Sequence, residues 1–136
     1  MIGPFHPDVL LDTNVFSYVF KGHTFAKQFI PHIAGKRRYL SFMTVAELYR
    51  GAYKVNWDKG QIDTLTEALR DYVILTANTQ TARRWAWLKE YCRSKLNRTI
   101  SDADAWIGAS ALTYNLPLVT NDVKDFKDIP GITLLY

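Results

Sequence analysis

Four acidic residues stand at the edges of apolar elements, spread from one end of the chain to the other. They are Asp12 in VLLDTN, Glu47 in FMTVAELYRG, Asp104 in ISDADAWIGASAL and Asp122 in LVTNDVKDF. Each lies where an apolar strand pattern stops or a helical pattern begins. Core packing gives no reason to place carboxylates at four such edges. Gathered together they would repel, and each would raise its neighbours' pKa values. A hard divalent cation removes that conflict, because Mg²⁺ takes oxygen ligands and keeps waters for substrate phosphates.

The pattern between these stations alternates strand and helix. Residues 8–11 read as a buried strand ending at Asp12. Residues 14–21 and 26–34 read as helices, with Gly22 and Gly35 as stops. A second buried strand is expected at 39–42, then a helix over 44–53 with Gly51 tolerated near its end. Ile62, Leu65 and Leu69 give helical spacing within 58–70, followed by a short strand at 73–75. Residues 79–96 read as a long helix whose core stripe is Ala82, Trp85, Leu88, Cys92 and Leu96. Trp87 and Tyr91 fall on a neighbouring face, as ordinary partial burial or as an oligomer or RNA-stacking surface. A helix rich in small residues covers 102–114. The last strands are 118–120 and 132–135, separated by a turn with Pro130 and Gly131. Strands alternating with helices predict a parallel α/β sheet with helices on both faces. Ligands bind such sheets outside the carboxyl ends of the strands, where Asp12 and Asp122 are expected.

A length of 136 residues suits one domain, 1–136, and 48% apolar residues are enough for a real core. No apolar run reaches the roughly 18 residues of a membrane span. The start, MIGPFHPDVLL, lacks the basic segment and cleavage site of a signal peptide. The single cysteine, Cys92, excludes an internal disulfide and a multi-cysteine zinc site, and cytoplasm is the expected compartment. The net charge of +4 is too modest to establish nucleic-acid binding. Its distribution is more telling: Arg83, Arg84, Lys89, Arg93, Lys95 and Arg98 accompany one acid, Glu90, and Lys36, Arg37 and Arg38 form a second cluster. These read either as solvated faces or as phosphate contacts flanking an acidic centre, with Lys36, Arg37, Arg38, Arg84, Arg93 and Arg98 as the candidate RNA contacts.

Each station also has a purely structural reading. Asp12 can cap a helix, although DTN sets three polar groups at one strand end, and Thr13 and Asn14 can then support a ligand or position a phosphate. Thr44-x-x-Glu47 and Ser101-x-x-Asp104 both have the form of a capping box. A first-turn carboxylate is favoured in its ionised form by the helix dipole, so a cap facing a crevice can also be a ligand. Asp102 and Asp104 point roughly 200° apart on a helix, so only one can face a metal directly. Spacing leaves open which of Asp102 and Asp104 does so, and which of Asp122 and Asp125 is the fourth carboxylate. Thr120 can hydrogen-bond Asp12 or a metal-bound water. His6, His23 and His32 have no acidic partner at metal spacing and are expected in loops or on the surface. No Walker A loop, G-x-S-x-G or G-x-G-x-x-G is present.

The order strand–DTN, helix–Glu, Asp–helix, strand–TND resembles the PIN-domain ribonucleases, most closely the VapC-type toxins. The resemblance runs from DTN to TNDVKDF. Departures are small: Gly108 stands where Ala is more usual, and several extra residues precede the first strand. It implies a PIN-like three-layer α/β sandwich with a central, mostly parallel sheet. It implies a Mg²⁺- or Mn²⁺-dependent endoribonuclease using Asp12, Glu47, Asp104 and Asp122, with Asp102 as an outer acid and Asp125 as the alternate to Asp122, acting on structured or single-stranded RNA. It further implies a cognate antitoxin whose tail blocks the site, and a homodimer. A HAD-like phosphatase would need a second Asp two residues after Asp12, where Asn14 stands. A PIN-like RNA-binding or scaffold module without activity would be expected to have lost some of the acids.

Overall fold

The chain meets its own pattern at β1 (Asp8–Leu11), the central strand of the sheet. The computed structural model describes residues 7–136; His6 and the rest of the expected leader-free start lie outside the described residues. Val9, Leu10 and Leu11 are all fully buried, as a strand covered on both faces requires. Because side chains alternate, Leu10 packs with one apolar cluster while Val9 and Leu11 pack with the other.

β1 leads into α1 (Thr13–Lys21) and α2 (Ala26–Ile33), then β2 (Arg37–Ser41) and α3 (Phe42–Lys54). α4 (Lys59–Leu69), β3 (Val73–Leu75), α5 (Thr79–Lys95) and α6 (Asp102–Tyr114) follow. β4 (Leu118–Val119), α7 (Val123–Phe126) and β5 (Leu134–Leu135) complete the order. The strands lie in the order β3-β2-β1-β4-β5, and every pairing is parallel. Helices α1 to α4 supply one apolar layer, with Phe16, Phe29 and Leu65 at its centre. α5, α6 and α7 supply the other, with Leu88, Ile107 and Phe126. This is the expected three-layer sandwich, with a sheet that is wholly parallel.

α6 is buried on nearly all sides, from Ala105 to Ala111, and packs against α5, α3 and β2. Its small residues permit that approach. A Cβ on Gly108 would meet Leu88 Cδ1 at 2.8 Å, inside van der Waals contact, which accounts for glycine at a place where alanine is more usual.

Three local expectations are corrected. The second strand begins earlier and ends at Ser41, and Phe42 opens α3 instead of closing the strand. Ser41 caps that helix, its hydroxyl accepting from the Met43 amide. Thr44 is therefore inside α3, and no capping box joins it to Glu47. On α5 the buried residue of the first turn is Thr81, while Ala82 is exposed. Asn78 caps this helix and accepts from both the Thr81 amide and its hydroxyl, which turns Thr81 inward.

Candidate active site

β1 is where the chain reverses its direction of travel across the sheet: β2 and β3 lie to one side of it, β4 and β5 to the other. A crevice forms at such a switch point beyond the strands' carboxyl ends. Asp12, Thr13, Asn14, Glu47, Asp104, Ile107 and Asp122 line a small cleft of about 100 Å³ there. Among the larger hollows of the molecule none holds more than one of these carboxylates.

Asp12 is set by β1 and by the start of α1. It is buried, it caps α1 through a 2.8 Å bond from the Val15 amide to Oδ1, and its Oδ2 accepts a short hydrogen bond from the Thr120 hydroxyl. Thr120 directly follows β4 and also accepts from the Asp122 amide at 2.9 Å, so one hydroxyl ties two acidic stations together. Burial raises the Asp12 pKa, against hydrogen bonds from Thr120, Val15 and Asn121, and the Glu47 charge raises it further.

Glu47 reaches the cleft from the second turn of α3. The Thr13 hydroxyl donates to Glu47 Oε1 at 2.7 Å and lies 3.0 Å from the Thr44 hydroxyl. Thr44 is fully buried. It is a supporting residue that the sequence pattern did not reveal. The signal was Ser41: with that residue as the cap, Thr44 falls on the inward face of the first turn.

Asp104 lies in the first turn of α6. Its amide donates to the Ser101 hydroxyl at 3.1 Å. Its carboxyl is pushed up to about 6, first by burial, then by the Asp125 charge; Ser101 opposes this, and Glu47 and Asp12 add to it. Asp102, two residues away, points out of the cleft and pairs with Lys89 at 2.7 Å. Asp122 is also pushed up to about 6, foremost by a hydrogen bond with Asp125, then by burial and by the charges of Asp125, Asp104 and Asp12. Asp104, Asp122 and Asp125 each offer an oxygen, and these lie within 4.8 Å of one another. Asp122 and Asp125 therefore enter the cluster together instead of as alternatives.

The expected basic contacts divide. Arg98 donates to the Asp125 carbonyl at 2.8 Å and so holds the turn that carries the acids. Lys36, Arg37 and Arg38 do not flank the cleft. Lys36 precedes β2 and Arg37 and Arg38 open it, and about 13 Å of strand separates its first residue from the carboxyl edge. Arg37 pairs with Asp8 at 2.9 Å and Arg38 lies over the Tyr72 ring. Arg93 pairs with Glu90 on the exposed side of α5. Arg84 lies in a different cleft, with Arg83 and Trp87. Neither His23 nor His32 enters the acidic cleft: His23 accepts from the Phe25 amide and His32 contacts the Tyr136 carbonyl.

The donor set is all oxygen, and among the described residues no lysine or arginine pairs with any of the five cleft carboxylates. Crowded carboxylates without a counter-charge, with Asp12, Asp104 and Asp122 raised in pKa, suit a hard divalent cation. Strand order, helical layers and this switch-point cluster together describe one class of protein, the PIN domain. Residues 9–132 match the PIN domain family. Ribonuclease VapC1 of Haemophilus influenzae (strain R2866) is 32% identical over 129 residues, covering 90% of this chain and 92% of the relative. Ribonuclease VapC5 of Mycobacterium tuberculosis is 30% identical, over 90% and 87% of the two chains. The 2.2 Å structure of VapBC-1 from nontypeable Haemophilus influenzae superposes with a TM-score of 0.80 at 27% identity, over 94% of this chain and 96% of that one. The chain belongs to the PIN domain family, in its VapC group.

Proposed function

We propose that this chain is a Mg²⁺- or Mn²⁺-dependent endoribonuclease, the toxin of a toxin–antitoxin pair, working as a single PIN domain. The observation that carries the proposal is the cluster of five carboxylates without a basic partner at the switch point of the sheet. Asp12, Glu47, Asp104 and Asp122, with Asp125, would hold the cation. When bound, the cation supplies Lewis-acid activation of water and charge stabilisation at the leaving oxygen of an in-line displacement.

The chain's own groups prepare that chemistry. The Thr120 hydroxyl fixes one oxygen of Asp12 and the Val15 amide the other, so the carboxylate enters the reaction already oriented. Thr13 does the same for Glu47, and buried Thr44 limits where the Thr13 hydroxyl can turn. Arg98 holds the backbone of the turn bearing Asp122 and Asp125. Asp102, neutralised by Lys89, stands outside the cation set.

The partner reading follows the relatives. Solved neighbours include the VapBC-1 complex and a toxin–antitoxin complex from Klebsiella pneumoniae, the latter at a TM-score of 0.75 and 28% identity. They support an antitoxin partner; that its tail covers the cleft, and that the chain assembles as a homodimer, is what the resemblance to VapC-type toxins implies. Calorimetric titration with Mn²⁺, run beside an RNA-cleavage assay, tests the site. Wild type and Asp102→Asn should bind Mn²⁺ and cut RNA, while Asp104→Asn should stay folded and lose both. Cleavage that survives Asp104→Asn and is lost in Asp102→Asn would reverse the assignment.

A further inference from the structure

A second cleft, of about 480 Å³, opens between the first half of α5 and the last turn of α6. Its lining is Gln80, Arg83, Arg84, Trp87 and Thr113. A volume of this size is what a nucleotide-sized ligand occupies. It is a different place from the acidic cleft. Thr113 lies nine residues after Asp104, which is about 14 Å along α6 and half a turn round the helix.

Two observations point to a missing occupant. Arg83 and Arg84 have no carboxylate partner among the described residues, although Arg93, on the same helix, is paired. Trp87 is 41% exposed, with one face stacked on Tyr91 at a ring separation of 5.0 Å. The cleft that these three side chains line is floored by Thr113 at the end of α6. Two free guanidiniums suit the oxygens of a phosphate, and an exposed indole beside them suits a base. Gln80 adds a neutral group able both to donate and to accept.

We propose that this cleft is a nucleotide-binding subsite in which Arg83 and Arg84 take a phosphate of single-stranded RNA while Trp87 stacks on a base. The subsite rests on RNA being the substrate. It lies round α6 from the acids, so only an RNA larger than the cleaved linkage can fill both places. The subsite therefore selects for folded or extended RNA.

The test is binding of a fluorescein-labelled single-stranded RNA of about 12 nucleotides to the full chain in EDTA, over a series of salt concentrations. Arg83→Ala/Arg84→Ala should weaken binding at least about 10-fold and make the salt slope shallower by roughly 0.7 to 1.4. Trp87→Ala should weaken it about 5-fold or more at an unchanged slope. Wild-type affinity in both variants overturns the subsite. So does a change of oligomeric mass by light scattering in the arginine or tryptophan variants, which would make this face a contact between copies of the chain. Inorganic polyphosphate competing equally with RNA, together with no effect of Trp87→Ala, overturns the base contact. RNA binding that depends on these residues in a wild type that cannot cut RNA with Mn²⁺ would sink the ribonuclease reading and leave the subsite standing.

Discussion

Acids on the surface of this protein and acids in its cleft have opposite surroundings. Asp8, Asp63, Glu67 and Asp102 each pair with a lysine or arginine at 2.7 to 3.0 Å, and Glu90 pairs closely with Arg93. Asp12, Glu47, Asp104, Asp122 and Asp125 have hydroxyls, amides and one another instead. Exposed pairs of the first kind add little to stability. Of the second kind, Asp12, Asp104 and Asp122 work against it, because burial and like charge disfavour their ionised form. Folding alone would favour neutral residues at the switch point. Thr120, Val15 and Thr13 hold the cluster in the fold, and a cation bound there would offset its crowded charge.

The sharpest break between the two groups is Asp12→Asn. Asparagine caps a helix as well as aspartate, so α1 should keep its start, and the melting temperature without metal should stay the same or rise. Cleavage of RNA should fall by more than about 100-fold, since removing a mere support of a metal ligand already costs about 10- to 100-fold. Equal losses of stability and activity would make Asp12 a structural residue only. Next in size is Thr13→Val, which removes the donor to Glu47 and should weaken Mn²⁺ binding about 10- to 100-fold with the fold intact. Calorimetry reads it directly; an unchanged affinity would show that Glu47 needs no such anchor.

A smaller effect lies in the pH dependence of stability in EDTA. Asp104 and Asp122 are raised to about 6 in the fold, against about 3.9 for an unperturbed aspartate. A raised acid binds its proton more tightly in the folded state, so its contribution is fully present below about pH 4 and is lost as pH rises through about 6. The melting temperature should therefore drop over that window, and the drop should be smaller in Asp104→Asn. Metal affinity should run the other way and increase through pH 6, as the ligands must ionise first. The smallest effect belongs to the surface group: Lys59→Ala breaks the exposed pair with Asp63 and should leave both melting temperature and cleavage where they were.

The sandwich was legible wherever burial and pattern agreed. Val9–Leu11 announced a buried strand, and the small residues after Asp104 announced a helix able to pack close to a sheet. Reading failed where one residue type served two structures. Phe42 looked like the end of an apolar strand, but Ser41 capped a helix before it, and that shift moved Thr44 from cap to buried support for Thr13. Ala82 looked apolar enough for the core, yet Thr81, its hydroxyl bonded to the Asn78 cap, took the inward place. Charge misled most. Lys36, Arg37 and Arg38 form a basic run in the sequence, but a parallel strand sets its first residues at the edge away from the cleft. The acids were legible because element ends converge at a switch point whatever the details of the helices, and the union of Asp122 with Asp125 was not, because it depends on one short turn.

The most direct measurement of the central claim is the chemistry of the ends that cleavage leaves. Among the described residues the cleft gathers carboxylates and no histidine, so a divalent cation held by them would supply the activation of water for attack on the phosphodiester, with no part for the substrate's 2′-hydroxyl. End-group analysis of RNA cut by the purified chain, with Mn²⁺ and with excess EDTA, should find 5′-phosphate and 3′-hydroxyl ends in the first case and uncut RNA in the second. Products ending in a 2′,3′-cyclic phosphate, or full activity in EDTA, would contradict the account.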